Sequence, residues 1–410
     1  MERLISFAGL FVMIALAWLM SAQRRKINWR TVAAALALQF AFAFLVLRTS
    51  PGRGVFDALG SVFVGMLTFV DAGSDFVFAT TDPRGLRSTE LLTSFAFGTL
   101  PSIIFFSSLM SILYHLNVMQ HVVRAAAAVM RKTLNLSGAE SLSVAANIFL
   151  GQVEAPLVVR PYLATMTQSE LMAVMLAGFA TVAGGVMAAY VKMGIDAGHL
   201  VTASVISAPA AILIAKIMQP ELDEPLTRGR MAVEVETTTV NLIDAAASGA
   251  LVGLKLALQV AAIIIAFLAL IAMCEFAFQW VLSLFGSELT LRGLLGYLFA
   301  PLAWTMGIPW ADCRTAGELL GVRLVSNEFI AYAELSHLVG PDSSISPRTQ
   351  VLLTYALCGF ANFGSIGVQL GGIGAAAPTR QSDLARLGLR AMLGGMLACF
   401  MTACVAGVLI

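Results

Sequence analysis

Apolar stretches of about 20 residues, each long enough to cross a hydrocarbon core of about 30 Å as a helix, recur from one end of this chain to the other. That recurrence constrains the fold more than any other feature. Only 12% of the 410 residues are charged and 59% are hydrophobic, against about 25% charged in a soluble domain. No segment is polar enough to form a soluble domain of useful size. In hydrocarbon the backbone must satisfy its own hydrogen bonds, so the spans are helices and the class is an all-α integral membrane protein.

The run from Leu4 to Met20 is too long for a signal core, and Arg24, Arg25, Lys26 and Arg30 follow it directly. It reads as a first span entering from outside, with its basic end in the cytoplasm. A second span covers Thr31 to Leu47 and stops at Ser50-Pro51-Gly52. Val55 to Phe78 is interrupted by Asp57, Asp71 and Asp75 and broken by Asp82-Pro83, which predicts an interfacial helix. Leu91 to Leu116 is a span, and a polar segment, Arg124 to Ala139, separates it from Ser141 to Leu163. That last segment is hydrophobic yet carries Gln152, Glu154, Pro156 and Arg160. Irregular backbone at membrane depth is tolerated only where protein or a water-filled cavity surrounds it, so a re-entrant hairpin is predicted.

Leu171 to Val191 contains Gly178, Thr181, Gly184 and Gly185 and reads as a helix broken near its middle; Val201 to Met218 is an ordinary span. After the polar linker from Gln219 to Thr239, Ala250 to Leu284 is too long for one perpendicular helix and must tilt. Ala311 to Leu338 holds Arg323, Asn327, Glu328, Glu334 and His337 and reads as a second acid-bearing hairpin. Val351 to Gly374 is again interrupted by Gly and Asn. Leu387 to Ile410 is the last span, with Arg380, Arg386 and Arg390 placing its start inside. The organisation expected is residues 1–88 as N-terminal spans and interfacial helix, 89–218 as a first repeat, 219–249 as linker and interfacial helix, and 250–410 as a long helix with the second repeat. The halves correspond: Gly178-Phe179-Ala180-Thr181 and Gly359-Phe360-Ala361-Asn362 each lie about 25 to 30 residues after an acid-bearing segment. Gly-interrupted segments at corresponding places in two halves point to a transporter's midplane binding site, and to internal inverted repeats.

Glu154 and Glu328 are the central residues, because an acid at the bilayer centre costs about 3 kcal/mol even on lenient scales. A purely structural explanation would pair Glu154 with Arg160 and Glu328 with Arg323. Amides stand beside both acids (Gln152, Asn327) and in the second broken helix (Asn362). Carboxylates and amides in an apolar pocket suit a small, uncharged, hydroxyl-rich ligand, since a carboxylate can take both protons of a diol. Asn147 and Thr181, with carbonyls freed where a helix unwinds, offer the oxygens a hard monovalent cation needs. Each also has a local alternative: Asn147 could cap a hairpin helix and Thr181 could bond back to its own backbone.

Other classes drop out. The net charge is +1 with basic residues scattered at segment ends, so nucleic acid is not a partner. No GxxxxGK[ST], GxSxG or HExxH occurs, so no ATP-driven pump, hydrolase or metalloprotease chemistry is visible and the chain is not an enzyme. The five cysteines (Cys274, Cys313, Cys358, Cys399, Cys404) lack ligand spacing and read as small packing residues, and the four histidines likewise.

Three motifs carry a resemblance. Gly321 to Tyr332, reading GVRLVSNEFIAY, Asn147 to Pro156, reading NIFLGQVEAP, and Gly359 to Ser365, reading GFANFGS, together resemble the concentrative nucleoside transporters across nearly the whole chain. The resemblance implies about eight spans, two re-entrant hairpins, interfacial helices, and a homotrimer in the inner (plasma) membrane, in which the basic residues at the span ends put both termini extracytoplasmic. It implies elevator-type symport of nucleosides into the cell without an organic cofactor. Gln152 and Glu154, with Val153 between them, are the family's base contacts, partly through water. Glu328, Asn362 and Ser365 are its ribose contacts, and Phe360 and Val186 line the pocket. The sodium site corresponds to the side chains of Asn147 and Thr181 and the carbonyls of Leu150 and Val182. Val153 stands where relatives usually carry Thr or Ser, and Arg323 where they carry Lys. The alternatives are coupling to protons, as in some bacterial members, and carriage of another small polar solute such as a nucleobase.

Overall fold

The computed structural model describes residues 1–81, 87–88, 90–228, 239–284, 289–339 and 343–410. The Asp82-Pro83 break and residues 229–238 of the polar linker lie outside them. Helices α1 (Glu2–Leu19), α2 (Trp29–Arg48) and α3 (Ser50–Phe78) open the chain. A first series follows: α4 (Leu100–His115), α5 (Val118–Leu134), a hairpin of α6 (Gly138–Ala146), α7 (Glu154–Leu157) and α8 (Arg160–Leu163), an interrupted helix α9 (Gln168–Ala180) and α10 (Gly184–Lys192), then α11 (Ala197–Met218). A second series repeats that order: α12 (Leu242–Ser283), α13 (Leu291–Thr305), a hairpin of α14 (Cys313–Val325) and α15 (Glu328–Leu338), an interrupted helix α16 (Pro347–Leu357) and α17 (Phe363–Ala376), then α18 (Gln381–Leu409). Among the described residues, β pairing is confined to Thr80↔Ser88, Thr81↔Arg87 and one bridge, Ser137↔Arg228.

Among the described residues, eight helical stretches are long and apolar enough to cross a membrane. They include α3, which departs from expectation: the helix runs unbroken for 29 residues despite its aspartates and glycines. Its Asp71 pairs with Lys192 at the end of α10, so one of the residues read as an interruption is an inter-helix contact. The interruption expected within Val351 to Gly374 falls at residues 358–362, between α16 and α17.

Hydrogen bonds sort the element ends into two levels. At one, Ala22 donates its N–H to Met218 O (2.9 Å), Arg390 donates to Met20 O (3.1 Å) and Met218 O (2.8 Å), and Arg380 donates to Ala164 O (3.2 Å). The first hairpin has its feet here, because Gly138 N–H donates to Thr227 O (3.0 Å) and Glu140 pairs with Lys216 of α11 (2.7 Å). At the other level, Arg3 donates to Ile410 O (2.8 Å), and Arg348 donates to Gly307 O (2.9 Å) and Gly407 O (2.7 Å). The second hairpin has its feet there: Ser346 N–H donates to Asp312 Oδ2 (3.0 Å) at the start of α14. The two hairpins therefore enter from opposite ends, as an inverted repeat requires, and each tip bonds to the broken helices between them. Both chain termini lie at the end opposite the basic turn at 24–30.

The equivalent helices of the two series pack on each other, α4 along α12 and α11 along α18. At 1.5 Å per residue the 42 residues of α12 extend about 63 Å, twice a hydrocarbon core, which agrees with the expected tilt. Only 11% of its most apolar window is buried. The buried stripe is Ala245, Gly249, Gly253, Ala257 and Val260. A Cβ on Gly249 would lie 2.6 Å from Ser111 Cβ, and one on Gly253 would lie 2.7 Å from Ile104 Cα. This is the small-residue contact by which helices approach closely in lipid. Gly253→Leu should separate α4 from α12 and lower the thermal midpoint of detergent-solubilised protein, whereas Leu4→Ala on the exposed face of α1 should leave it within error.

Candidate binding site

The two interrupted helices cross at their breaks. Gly359 has φ +134°, a conformation open to glycine, and a Cβ there would lie 2.5 Å from Phe179 O and 3.0 Å from Cys399 Sγ. Cys399 of α18, expected to be plain packing, donates its S–H to Cys358 O at 2.8 Å, with Ala180 O at 3.6 Å. Arg323, 1% exposed, donates to Ala356 O (2.6 Å) and Gly359 O (3.2 Å) and so caps the carbonyls at the end of α16. The Arg323–Glu328 pairing that would have made Glu328 merely structural is absent from its hydrogen bonds.

Glu328 is the first residue of α15, and Asn327 caps that helix by accepting from Ile330 N–H (3.0 Å). A carboxylate at a helix N-terminus meets the positive end of the dipole. Glu328 Oε2 accepts from Asn362 Nδ2 (2.9 Å) and Oε1 from the Tyr190 hydroxyl (3.1 Å). Asn362 in turn caps α17 through Ser365 N–H (2.9 Å). Ser365 Oγ accepts from Gln152 Nε2 at the first hairpin's tip (3.2 Å), and Gln152 Oε1 accepts from Gln369 Nε2 (3.2 Å). Gln152, Glu328, Asn362 and Ser365 are thus joined in one buried network of two hairpins and two broken helices. Val186 is buried on α10 and Phe360 half-buried at the second break. Val153 lies apart from the network, packed on Gly372 of α17, and Glu154 is exposed with its carboxylate folded over Gly151.

The first tip docks on the first break through Gly184 N–H donating to Phe149 O (3.0 Å). This places the turn holding Asn147 and Leu150 against Thr181 and Val182. Both local alternatives are realised: Asn147 Nδ2 donates back to Ser143 O (3.2 Å), and the Thr181 hydroxyl donates to Ala177 O (2.9 Å). Neither uses the acceptor side of its side chain. Asn147 is fully buried, and its Oδ1, like Ser143 Oγ one turn earlier, has no hydrogen-bond partner among the described residues. Oxygens buried without a donor fit a hard cation.

Reading residues in isolation missed Tyr190, Gln369, Ser143 and the role of Cys399. The first three stand four residues from named ones (Val186, Ser365, Asn147), the helical spacing at which a second polar side chain faces the same space.

Known proteins resemble the chain over its whole length. Residues 199–407 match a family model described as the C-terminus of Na+ dependent nucleoside transporters, residues 8–81 the corresponding N-terminus, and residues 96–197 a model described as nucleoside recognition. Over its whole length the chain is 42% identical to sodium/nucleoside cotransporter 1 of Mus musculus, of which it spans 64%, and 42% identical to a transporter of Haemophilus influenzae, of which it spans 98%. The solved structure of CNTnw in an inward-facing substrate-bound state is similar with a TM-score of 0.92 at 42% identity, covering 100% of this chain and 98% of that one. A doubly substituted CNTnw in an outward-facing state gives 0.93.

Proposed function

Because the chain belongs to the concentrative nucleoside transporter family, a family of transporters and not enzymes, we propose that it carries nucleosides into the cell coupled to sodium. The observation that carries the reading is the Glu328 carboxylate, held by Asn362 and Tyr190 where both hairpin tips and both helix breaks meet. Each of its oxygens keeps a lone pair for a ribose hydroxyl, with Asn362 and Ser365 beside it. Gln152 faces the base together with Glu154 and Val153 from the same tip, and Phe360 and Val186 supply the apolar wall. Val153 offers the base no hydroxyl.

Asn147 Oδ1, Thr181 Oγ1 and the carbonyls of Leu150 and Val182 hold the sodium ion. Sodium supports this choice over a proton because the unpartnered atom is a carboxamide oxygen, which does not titrate. The ion binds first and orders the first tip, raising nucleoside affinity through a coupling of about 1 to 3 kcal/mol. The α4–α12 pair serves as a stationary scaffold, three copies associate through the exposed face of α12, and the hairpins with their broken helices move as an elevator. Arg24, Arg25 and Lys26 face the cytoplasm, which puts both termini outside the inner membrane, its lipid contacting the outer helices.

Radiolabelled uridine uptake into proteoliposomes, with a sodium gradient compared against a proton gradient at fixed potential, tests the coupling. Sodium-driven uptake is expected, and Asn147→Ala should remove the sodium dependence while leaving a folded protein. Uptake driven by protons alone would reassign coupling to another group. Competition by free uracil or ribose as strong as that by uridine would refute the nucleoside reading.

A further inference from the structure

Gln369 has no part in the ligand reading above, yet it is fully buried in an apolar, Gly-rich helix and its amide is spent on two acceptors. Its Nε2 donates to Met175 O of α9 (3.0 Å) and to Gln152 Oε1 (3.2 Å). A backbone carbonyl can only accept, so the atom facing Met175 must be the nitrogen. The other hydrogen on that nitrogen points to Gln152, which must answer with its oxygen, since two NH2 groups would otherwise confront each other. Gln152 is thereby left with its nitrogen turned toward Ser365 Oγ (3.2 Å). No donor among the described residues engages Gln369 Oε1, so none of them turns the amide the other way. The close fit depends on Gly178, where a Cβ would lie 2.8 Å from Gln369 Nε2 and 3.0 Å from Gln152 Cβ.

We infer that Gln369 is a specificity-determining residue acting through Gln152: it fixes that carboxamide so that an N–H faces the base and selects nucleosides presenting an oxo acceptor over those presenting an amino donor. The hydrogen count supports this. One hydrogen of Gln152 Nε2 goes to Ser365 and the second has no other use among the described residues, whereas Gln152 Oε1 is already engaged. A 4-oxo pyrimidine accepts that hydrogen; a 4-amino pyrimidine opposes a donor to a donor and leaves both unsatisfied. This inference rests on the reading that Gln152 faces the base.

The test is equilibrium binding of uridine and cytidine to purified full-length protein in sodium. The wild type is expected to favour uridine by about tenfold or more, the scale of one buried mismatched polar pair. Gln369→Met keeps the volume but frees Gln152 to rotate, so the ratio should fall toward unity while discrimination between uridine and 2′-deoxyuridine, which reports on Glu328, is unchanged. Gln369→Glu should go further. A neutral carboxylic acid placed there donates O–H to Met175 O and accepts from Gln152 Nε2, turning Gln152 so that its oxygen meets the base, and cytidine should become the preferred ligand. A ratio untouched by both variants overturns the inference. Gln152→Ala separates the two levels: if that variant collapses the ratio while the Gln369 variants do not, the positioning role alone fails. If Gln152→Ala leaves the ratio intact, Gln152 does not read the base and the underlying reading fails.

Discussion

Glu328→Gln should weaken uridine binding by about 100-fold or more in a protein that still folds. The carboxylate accepts from Asn362 and Tyr190 and, on the proposed reading, from two ribose hydroxyls. Bonds to a charged acceptor contribute about 1.5 to 3 kcal/mol each, so loss of two exceeds about 3 kcal/mol, and each 1.4 kcal/mol is tenfold in affinity. The amide that replaces the carboxylate keeps one acceptor and sets an NH2 against either Asn362 Nδ2 or the incoming hydroxyl. Its helix-capping surroundings do not depend on the charge, because Asn327 and Asn362 cap α15 and α17 through their own carboxamides. Binding of uridine, 2′-deoxyuridine and 3′-deoxyuridine to wild type and variant reads the effect directly. Wild type should discriminate against both deoxy compounds, and the variant much less against at least one of them. Wild-type affinity in Glu328→Gln would remove the ribose assignment.

The hairpins and breaks were legible because polar residues in hydrocarbon are too costly to be incidental: Glu154, Glu328 and the two glycine-containing motifs marked both tips and both interruptions. The continuity of α3 was not, since Asp71 gives no sign in sequence that Lys192 lies beside it. Gln369, Tyr190 and Cys399 were illegible for a related reason. Each acts on a partner in another element, Met175, Glu328 and Cys358, and such pairings depend on which helices cross, which hydropathy does not encode.

The two halves of the repeat also differ in a way that bears on coupling. In the second half both short helices begin at a capping asparagine, Asn327 and Asn362. In the first half α7 follows Val153 and α10 follows Ala183, and neither start has a side-chain cap. The second half thus presents a polar surface already organised by its own side chains. The first tip leaves buried oxygens at Asn147 and Ser143 without protein donors, and an ion is the natural group to complete it. That asymmetry supports cation before nucleoside as the order of binding in the proposed cycle.

The same first hairpin depends on a second polar centre at its feet, and Lys216→Met should be among the most destabilising single substitutions in the chain. Lys216 Nζ pairs with Glu140 Oε1 (2.7 Å), donates to Ser169 Oγ (3.0 Å) and reaches Glu221 Oε2 (3.4 Å). Glu170 stands in the same cluster, accepting from the Ser137 hydroxyl and from Thr167 N–H (2.9 Å). One amine therefore serves two carboxylates, Glu140 and Glu221, with Glu170 in the same cluster, and Glu140 and Glu170 are each no more than 2% exposed. Removing the amine strands Glu140 in a buried site, which costs about 3 to 5 kcal/mol. In a chain of this size that corresponds to a fall of about 4 to 6 °C in thermal midpoint, measurable by tryptophan fluorescence in detergent. The double variant Lys216→Met, Glu140→Met removes both charges and fills the space, so it should recover more than half of the loss. Recovery would identify the stranded charge as the cause; a double variant as unstable as the single would mean that Lys216 acts instead through Ser169 and Glu221, tying the end of α11 to the start of α9.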